Sequence, residues 1–272
     1  MKQNMSWSFW LLLLLFVFLA TAKYTLGPIM VRFKSTAAVN PTFDEIPDEH
    51  ARALFPPNFF TTIHEFEALG FSLVCHLSSS AITSRVHTMV SLLINQSTMT
   101  FAAIGFARTL NTQAPVAVSY VEFTAEFEDG SELDTGNIST VRVFYDSPRK
   151  TIVRIPHLKD PNALYQVHLY LMKQRKVPPC LPPPGTEKEH FIKSVRESLA
   201  EQAELGFYVL DETKQRYRQT WRSAYRGTYR LLWPLKQIHQ RRQEREGRRI
   251  AAEALSFRRK QQPGQTVNPW GD

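Results

Sequence analysis

The longest apolar run opens the chain: no charged residue stands between Lys2 and Lys23, and residues 7–22 read WSFWLLLLLFVFLATA. At ~1.5 Å per helical residue such a segment reaches across a hydrocarbon core of ~30 Å. Residues 7–22 are therefore read as a transmembrane anchor. A removed signal peptide is the competing reading, because Ala20-Thr21-Ala22 has the small-x-small form of a cleavage site. Retention is favoured by a bulky core with Trp7 and Trp10 at its entrance and by a leading segment whose one side-chain charge is Lys2. Lys23, Arg32 and Lys34 outnumber Lys2, which by the positive-inside rule places the chain beyond residue 22 on the cytoplasmic side of a single-pass protein. Residues 23–57 have no clear period and include Pro28, Pro41, Pro47, Pro56 and Pro57; they read as a tether.

The period then changes to two. Val121, Phe123, Ala125 and Phe127 alternate with Glu122, Thr124 and Glu126, the signature of a strand with one buried and one wet face. Strand patterns also cover 71–77, 87–94 and 98–106. A return strand follows the turn Glu128-Asp129-Gly130-Ser131, and a hairpin of 141–145 with 151–155 is expected around Ser147-Pro148. One helix precedes them, with Thr62 and Glu65 spaced as a capping box and Gly70 as its stop. Another starts at Asp160-Pro161 and carries Leu164, Val167, His168 and Leu171 on one stripe. The sum over 58–176 is an α+β domain: an antiparallel sheet of about six strands with helices on one face.

Residues 177–185 form a polyproline linker. Over 186–260 the pattern becomes helical and basic. Thr186 and Glu189 repeat the capping-box spacing, Phe191, Val195 and Leu199 form a stripe, and Gly206 ends it. The unit cation-x-x-aromatic is then written five times without a gap. Lys214 leads to Tyr217, Arg218 to Trp221, Arg222 to Tyr225, Arg226 to Tyr229 and Arg230 to Trp233, before Pro234. On a helix starting near Thr220 this puts each cation one turn from a ring. Rings and arginines in neighbouring rows suit a headgroup layer, so Arg218, Trp221, Arg222, Tyr225, Arg226, Tyr229, Arg230 and Trp233 are the candidate membrane-interface residues, on a helix lying along anionic lipid. The alternative has the same rings packed on the domain. Residues 235–260 continue as a second basic helix, and 261–272 as a disordered tail.

Charge adds one point. Of the net +8, the segment Lys214–Lys260 holds fifteen Lys or Arg against three Glu, so the rest of the chain is slightly acidic. Two cysteines, Cys75 and Cys180, exclude a disulfide scaffold. No phosphate loop, nucleophile elbow or metal-ligand spacing occurs, so no catalytic, metal or cofactor residue is assigned. The expected function is a non-enzymatic, membrane-anchored interaction or scaffold protein with an unknown protein partner. Two other readings compete with it. One is nucleic-acid binding through Arg222, Arg226, Arg230, Arg241, Arg242, Arg248 and Arg249, against which the membrane run weighs. The other is a thiol and imidazole enzyme built on Cys75 and His87. Asn95 and Asn137 each head a glycosylation sequon.

Overall fold

The computed structural model describes residues 7–83, 86–109 and 117–261; the tail residues 262–272 lie outside them. The opening helix α1 runs from Trp7 to Lys34, past the expected end at residue 22 and through Pro28. It is apolar and long enough to cross a membrane, and none of its span window is buried among the described residues. The stretch expected as a tether is therefore helix over its first third, residues 23–34. Its remainder holds strands β1 (Thr36–Ala38) and β2 (Asp44–Ile46) and helix α2 (Asp48–Leu54). Prolines at 41, 47 and 56 flank these short elements instead of keeping the chain extended, as proline does at strand ends and first helical turns.

Helix α3 (Pro57–Ala68) leads into a meander of β3 (Ser72–Thr83), β4 (Val86–Asn95), β5 (Thr100–Thr109), β6 (Ala117–Phe127) and β7 (Glu132–Gly136), each antiparallel to the last. Strand β8 (Lys150–Arg154) then pairs parallel to β7. The expected hairpin of 141–145 with 151–155 does not form, because residues 141–145 run as an irregular crossover that lets β8 enter in the same direction as β7. After α4 (Pro161–Lys173) the linker prolines are not a free spacer, since β9 (Pro179–Cys180) pairs with the end of β6. Helix α5 (Glu187–Glu204) and strands β10 (Tyr208–Asp211) and β11 (Arg216–Gln219) follow, then α6 (Trp221–Leu231) and α7 (Leu235–Gln261). The sheet totals eleven strands among the described residues, more than the expected six, in the order β10-β11-β1-β3-β4-β5-β6-β7-β8 with β2 and β9 beside it. The surplus comes from strands of two to five residues, too short to show a period in the sequence.

Helices cover both sheet faces, not one. On the first face Phe59, Ile63 and Phe66 of α3, Leu164 and Val167 of α4 and Ala251 and Ala254 of α7 close over Leu93, Ile104 and Phe123. On the second face α5 lies over Cys75, Leu77, Leu92 and Phe101 through Phe191, and over Phe207, Tyr208 and Tyr217 through Leu199. The two helix stops expected at glycine are built alike. Gly70 and Gly206 have φ of +87° and +78°, and the next residue's amide reaches back to the helix, Phe71 N to Phe66 O and Phe207 N to Gln202 O. Both phenylalanines are buried, closing the stop with an apolar contact. Thr62 is no cap, because α3 starts five residues earlier, and Thr186 sits at the start of α5 with its hydroxyl on Pro183 O.

Candidate membrane-interface site

Helix α6 starts where its sequence asks. Thr220 Oγ1 accepts from Ser223 N at 3.2 Å, while its own hydroxyl is fixed on Gly206 O at 2.9 Å. That anchors the first turn of α6 to the end of α5 and sets its direction. From there α6 runs antiparallel along the second half of α1. Trp221 meets Phe33 edge-on at 6.1 Å and Tyr229 stacks on Tyr24 at 5.9 Å. Between them a Cβ on Gly27 would stand 2.6 Å from Thr228 Cγ2, so only glycine lets the two helices approach this closely. The candidate rings therefore face α1 and one another, with Trp221 and Tyr225 at 6.4 Å and Tyr225 and Tyr229 at 6.0 Å.

Each arginine in the tetrads has a partner other than the expected ring. Arg218 Nη2 pairs with Asp211 at 2.6 Å. The guanidinium groups of Arg222 and Arg226 stand over the ring of Tyr145, at 5.7 and 4.7 Å, and Arg230 Nη1 donates to Arg142 O at 2.9 Å. Trp221 receives its cation from α1, Arg32 at 6.0 Å. The reason is rotation around α6: a spacing of three separates cation and ring by about 60° on the helix, enough to aim the rings at α1 and the cations at the crossover 141–146. Burial and the neighbouring Arg226 lower the pKa of Arg230.

The segment expected as an arm along lipid is thus gripped by the protein at both edges, and α6 follows α1 instead of crossing it at a right angle. Its C-terminal end points toward the apolar half of α1. There the hydroxyl of Tyr24 donates to the carbonyl of Trp233. At the elbow between α6 and α7 Leu231, Trp233, Leu235 and Ile238 stand in the open, Trp233 at 65% exposure. Lys23 lies 5.3 Å over the ring of Tyr24 at the same level. Counting from Tyr24 back to Trp7, α1 projects about 25 Å beyond this point, and its residues 7–18 are exposed throughout. Sequence reading does not find Tyr24, Gly27 and Phe33, because nothing local distinguishes a helix-packing glycine beside Pro28 from a breaker.

Other candidates separate in space. Helix α7 is not a free basic rod: Gly247 abuts the backbone of Arg154 and Ile155, and Ala251 and Ala254 are buried, while Arg241, Arg242, Arg248 and Arg249 are exposed. Cys75 faces Leu92 under α5, whereas His87 stands on the opposite face and meets Ser78 Oγ at 2.9 Å. Burial pushes the Cys75 thiol up to about 11, so the thiol–imidazole site is not formed. The Asn95 side chain is buried with its amide nitrogen on Leu69 O, which leaves that nitrogen no room for a glycan, while Asn137 Oδ1 accepts from Val121 N at 2.8 Å. Among the described residues no group of three His, Cys, Asp or Glu is placed to hold a metal ion. Comparison with protein-family models, with curated proteins and with solved structures found no match.

Proposed function

We propose that this is a single-pass membrane protein whose α+β domain is clamped to the base of its own anchor, with the α6–α7 elbow dipping into the headgroup layer. The observation that carries the reading is the junction at Tyr24: on one side α1 is bare and apolar, and on the other it is held by α6, with Trp233 hydrogen-bonded where the two meet. An indole with one polar edge, flanked along the chain by exposed Leu231, Leu235 and Lys236, has the amphipathic make-up of residues at a membrane–water boundary. Lys23, Arg32 and Lys34 support a domain on the cytoplasmic side, and the exposed cations of α7 add attraction to anionic lipid. The role is non-enzymatic: to hold an interaction domain at fixed height and orientation above the bilayer. Nucleic-acid binding loses its main support, since Arg222, Arg226 and Arg230 turn inward onto Tyr145 and backbone carbonyls.

The test is the full-length chain in vesicles containing brominated lipid. The expected outcome is resistance to alkaline carbonate extraction, a mature N-terminus ahead of Lys23, and a bromine-quenched fluorescence component that disappears in Trp233→Phe. Release by carbonate with a mature start at Lys23 sinks the anchor. A quenched component unchanged in Trp233→Phe sinks the elbow.

A further inference from the structure

The second sheet face grades from apolar to charged. Following the register across the strands, one row runs Ile94, Phe101, Thr124, Asp134 and Ile152, the next Leu92, Ala103, Glu122, Gly136 and Arg154, and a third joins Glu126, Glu132 and Lys150. Helix α5 closes over these rows but does not fill the space beneath it. A cavity of about 340 Å³ remains, with Leu92, Phe101, Phe191 and Val195 at one end and the charged rows at the other. That is roughly the liquid volume of eleven waters and the size of a small-molecule site. A hollow of about 160 Å³ shares Glu126, Glu132, Lys150 and His190 with it and extends toward exposed Lys193 and Glu197, giving a way in.

The polar wall is mostly self-satisfied, and its carboxylates keep spare acceptor capacity. Lys150 Nζ bonds both oxygens of Glu132, at 2.8 and 2.6 Å, and His190 Nε2 meets Glu126 at 2.6 Å. Arg154 Nη1 donates to Thr140 O at 2.6 Å, Arg142 pairs with Asp146 at 3.0 Å, and Thr124 donates to Asp134 at 2.8 Å. Glu122, at the centre of the wall, has no hydrogen bond among the described residues. Glu201 Oε2 and Tyr145 Oη, on side chains each 8% exposed, are also unpartnered, although Glu201 Oε1 accepts from Ser147. The unpaired donors, Nε of Arg142 and Arg154, belong to guanidinium groups already bonded through another nitrogen. Five carboxylates line the cavity against three Lys or Arg, so with the acids ionised the lining is net negative; burial, and for Asp134 the neighbouring carboxylates, favour the protonated forms of Glu122 and Asp134 until a further cation joins them.

An ammonium answers both the spare acceptors and the charge, and the apolar end needs a hydrocarbon body. We propose that this cavity binds a small amphipathic amine, its protonated nitrogen on Glu122 and its apolar part against Leu92, Phe101 and Phe191. Gly136 stands beside Glu122 in the register, where a Cβ would come within 3.0 Å of Val121 O and 3.6 Å of Glu122 Cβ. The site is independent of the membrane elbow and stands whether or not the anchor is retained.

The experiment uses three probes of similar shape, phenethylamine, phenethyl alcohol and phenylacetate, on the full-length chain in detergent micelles, with dissociation constants from saturation-transfer NMR. The amine is expected to bind about tenfold tighter than the alcohol, as a charge-assisted hydrogen bond implies, and phenylacetate weakest. Glu122→Gln is expected to erase the preference for the amine and keep alcohol binding, and Ser194→Trp, from α5, to block all three. Phenylacetate binding as tightly as the amine, a folded Glu122→Gln that still prefers the amine, or no saturable binding of any probe to the wild-type chain overturns the proposal. The wild-type ranking decides even if a variant fails to fold.

Discussion

The two faces of one sheet are built to opposite rules. On the face under α3, α4 and α7, Phe123 stacks on Phe66 at 5.2 Å and tilts against Tyr165 at 5.1 Å, and the buried His168 meets Thr135 Oγ1 at 3.0 Å. On the face under α5 the next residue along the same strand, Glu122, looks into a hollow. A period of two in β6 is enough to send ring and carboxylate to different environments. Burial and packing are separate achievements here: both faces are roofed, and only one is filled.

Removing a ring should cost most where packing is complete. Phe123→Ala is expected to lose about 3–5 kcal/mol in urea or thermal unfolding of the full-length chain. A loss under about 1 kcal/mol would mean that the first face is as loosely filled as the second. Glu122→Gln, one residue away, is expected to be neutral or stabilising, because it removes a charge that burial penalises.

Acid and base should separate the faces next. Burial pushes the His168 pKa down to about 3, so its contribution is present above the ordinary histidine value of about 6.5 and is lost as pH falls toward 3. Burial, reinforced by Glu122 and Glu132, raises Asp134 well above the carboxylate range, and burial raises Glu122 against the pull of Arg154. For these carboxyls the unfolded chain gives up its protons first. Their contribution is complete below a pH of about 4 and is lost as pH rises through their folded values. His168→Gln should flatten the acid limb of the stability profile, and Asp134→Asn the limb above pH 4. Identical profiles for wild type and Asp134→Asn would remove the charged face from the comparison.

A smaller effect is expected at Gly247, where α7 crosses β8. A Cβ there would lie 2.8 Å from Arg154 O, backbone that cannot turn aside, so Gly247→Ala should cost about 1–3 kcal/mol by thermal unfolding. Tolerance of alanine would mean that α7 rides on the sheet more loosely than the buried Ala251 and Ala254 imply.

The parts of this arrangement that the sequence announced are those whose cause is local. The alternation in β6, the left-handed stops at Gly70 and Gly206 and the start of α6 at Thr220 each depend on a few neighbouring side chains. What escaped depends on partners far along the chain. Glu122, Thr124 and Glu126 read as a face in water because nothing near them shows that α5, more than sixty residues on, covers it. The strand Thr36–Ala38 is too short for a period and exists by pairing with Arg216–Arg218. The arginines of α6 read as partners of the rings three residues on, since their actual partners, Tyr145 for Arg222 and Arg226 and the Arg142 carbonyl for Arg230, lie in a crossover that carries no pattern.

That last misreading supplies the finest test. Tyr145 belongs to the cavity face, with Arg226 and Arg222 over its ring and its hydroxyl unpartnered. If the ring face is what matters, Arg226→Ala should destabilise by about 0.5–1 kcal/mol, the worth of one partly exposed cation–π contact, and Arg226→Lys should recover part of it. Tyr145→Phe keeps the ring and discards a hydroxyl that has no partner among the described residues, so it should be neutral or slightly stabilising. The reverse ranking, with Tyr145→Phe the costlier change, would mean that the hydroxyl has a partner inside the cavity, and the loosely filled face would then be a filled one.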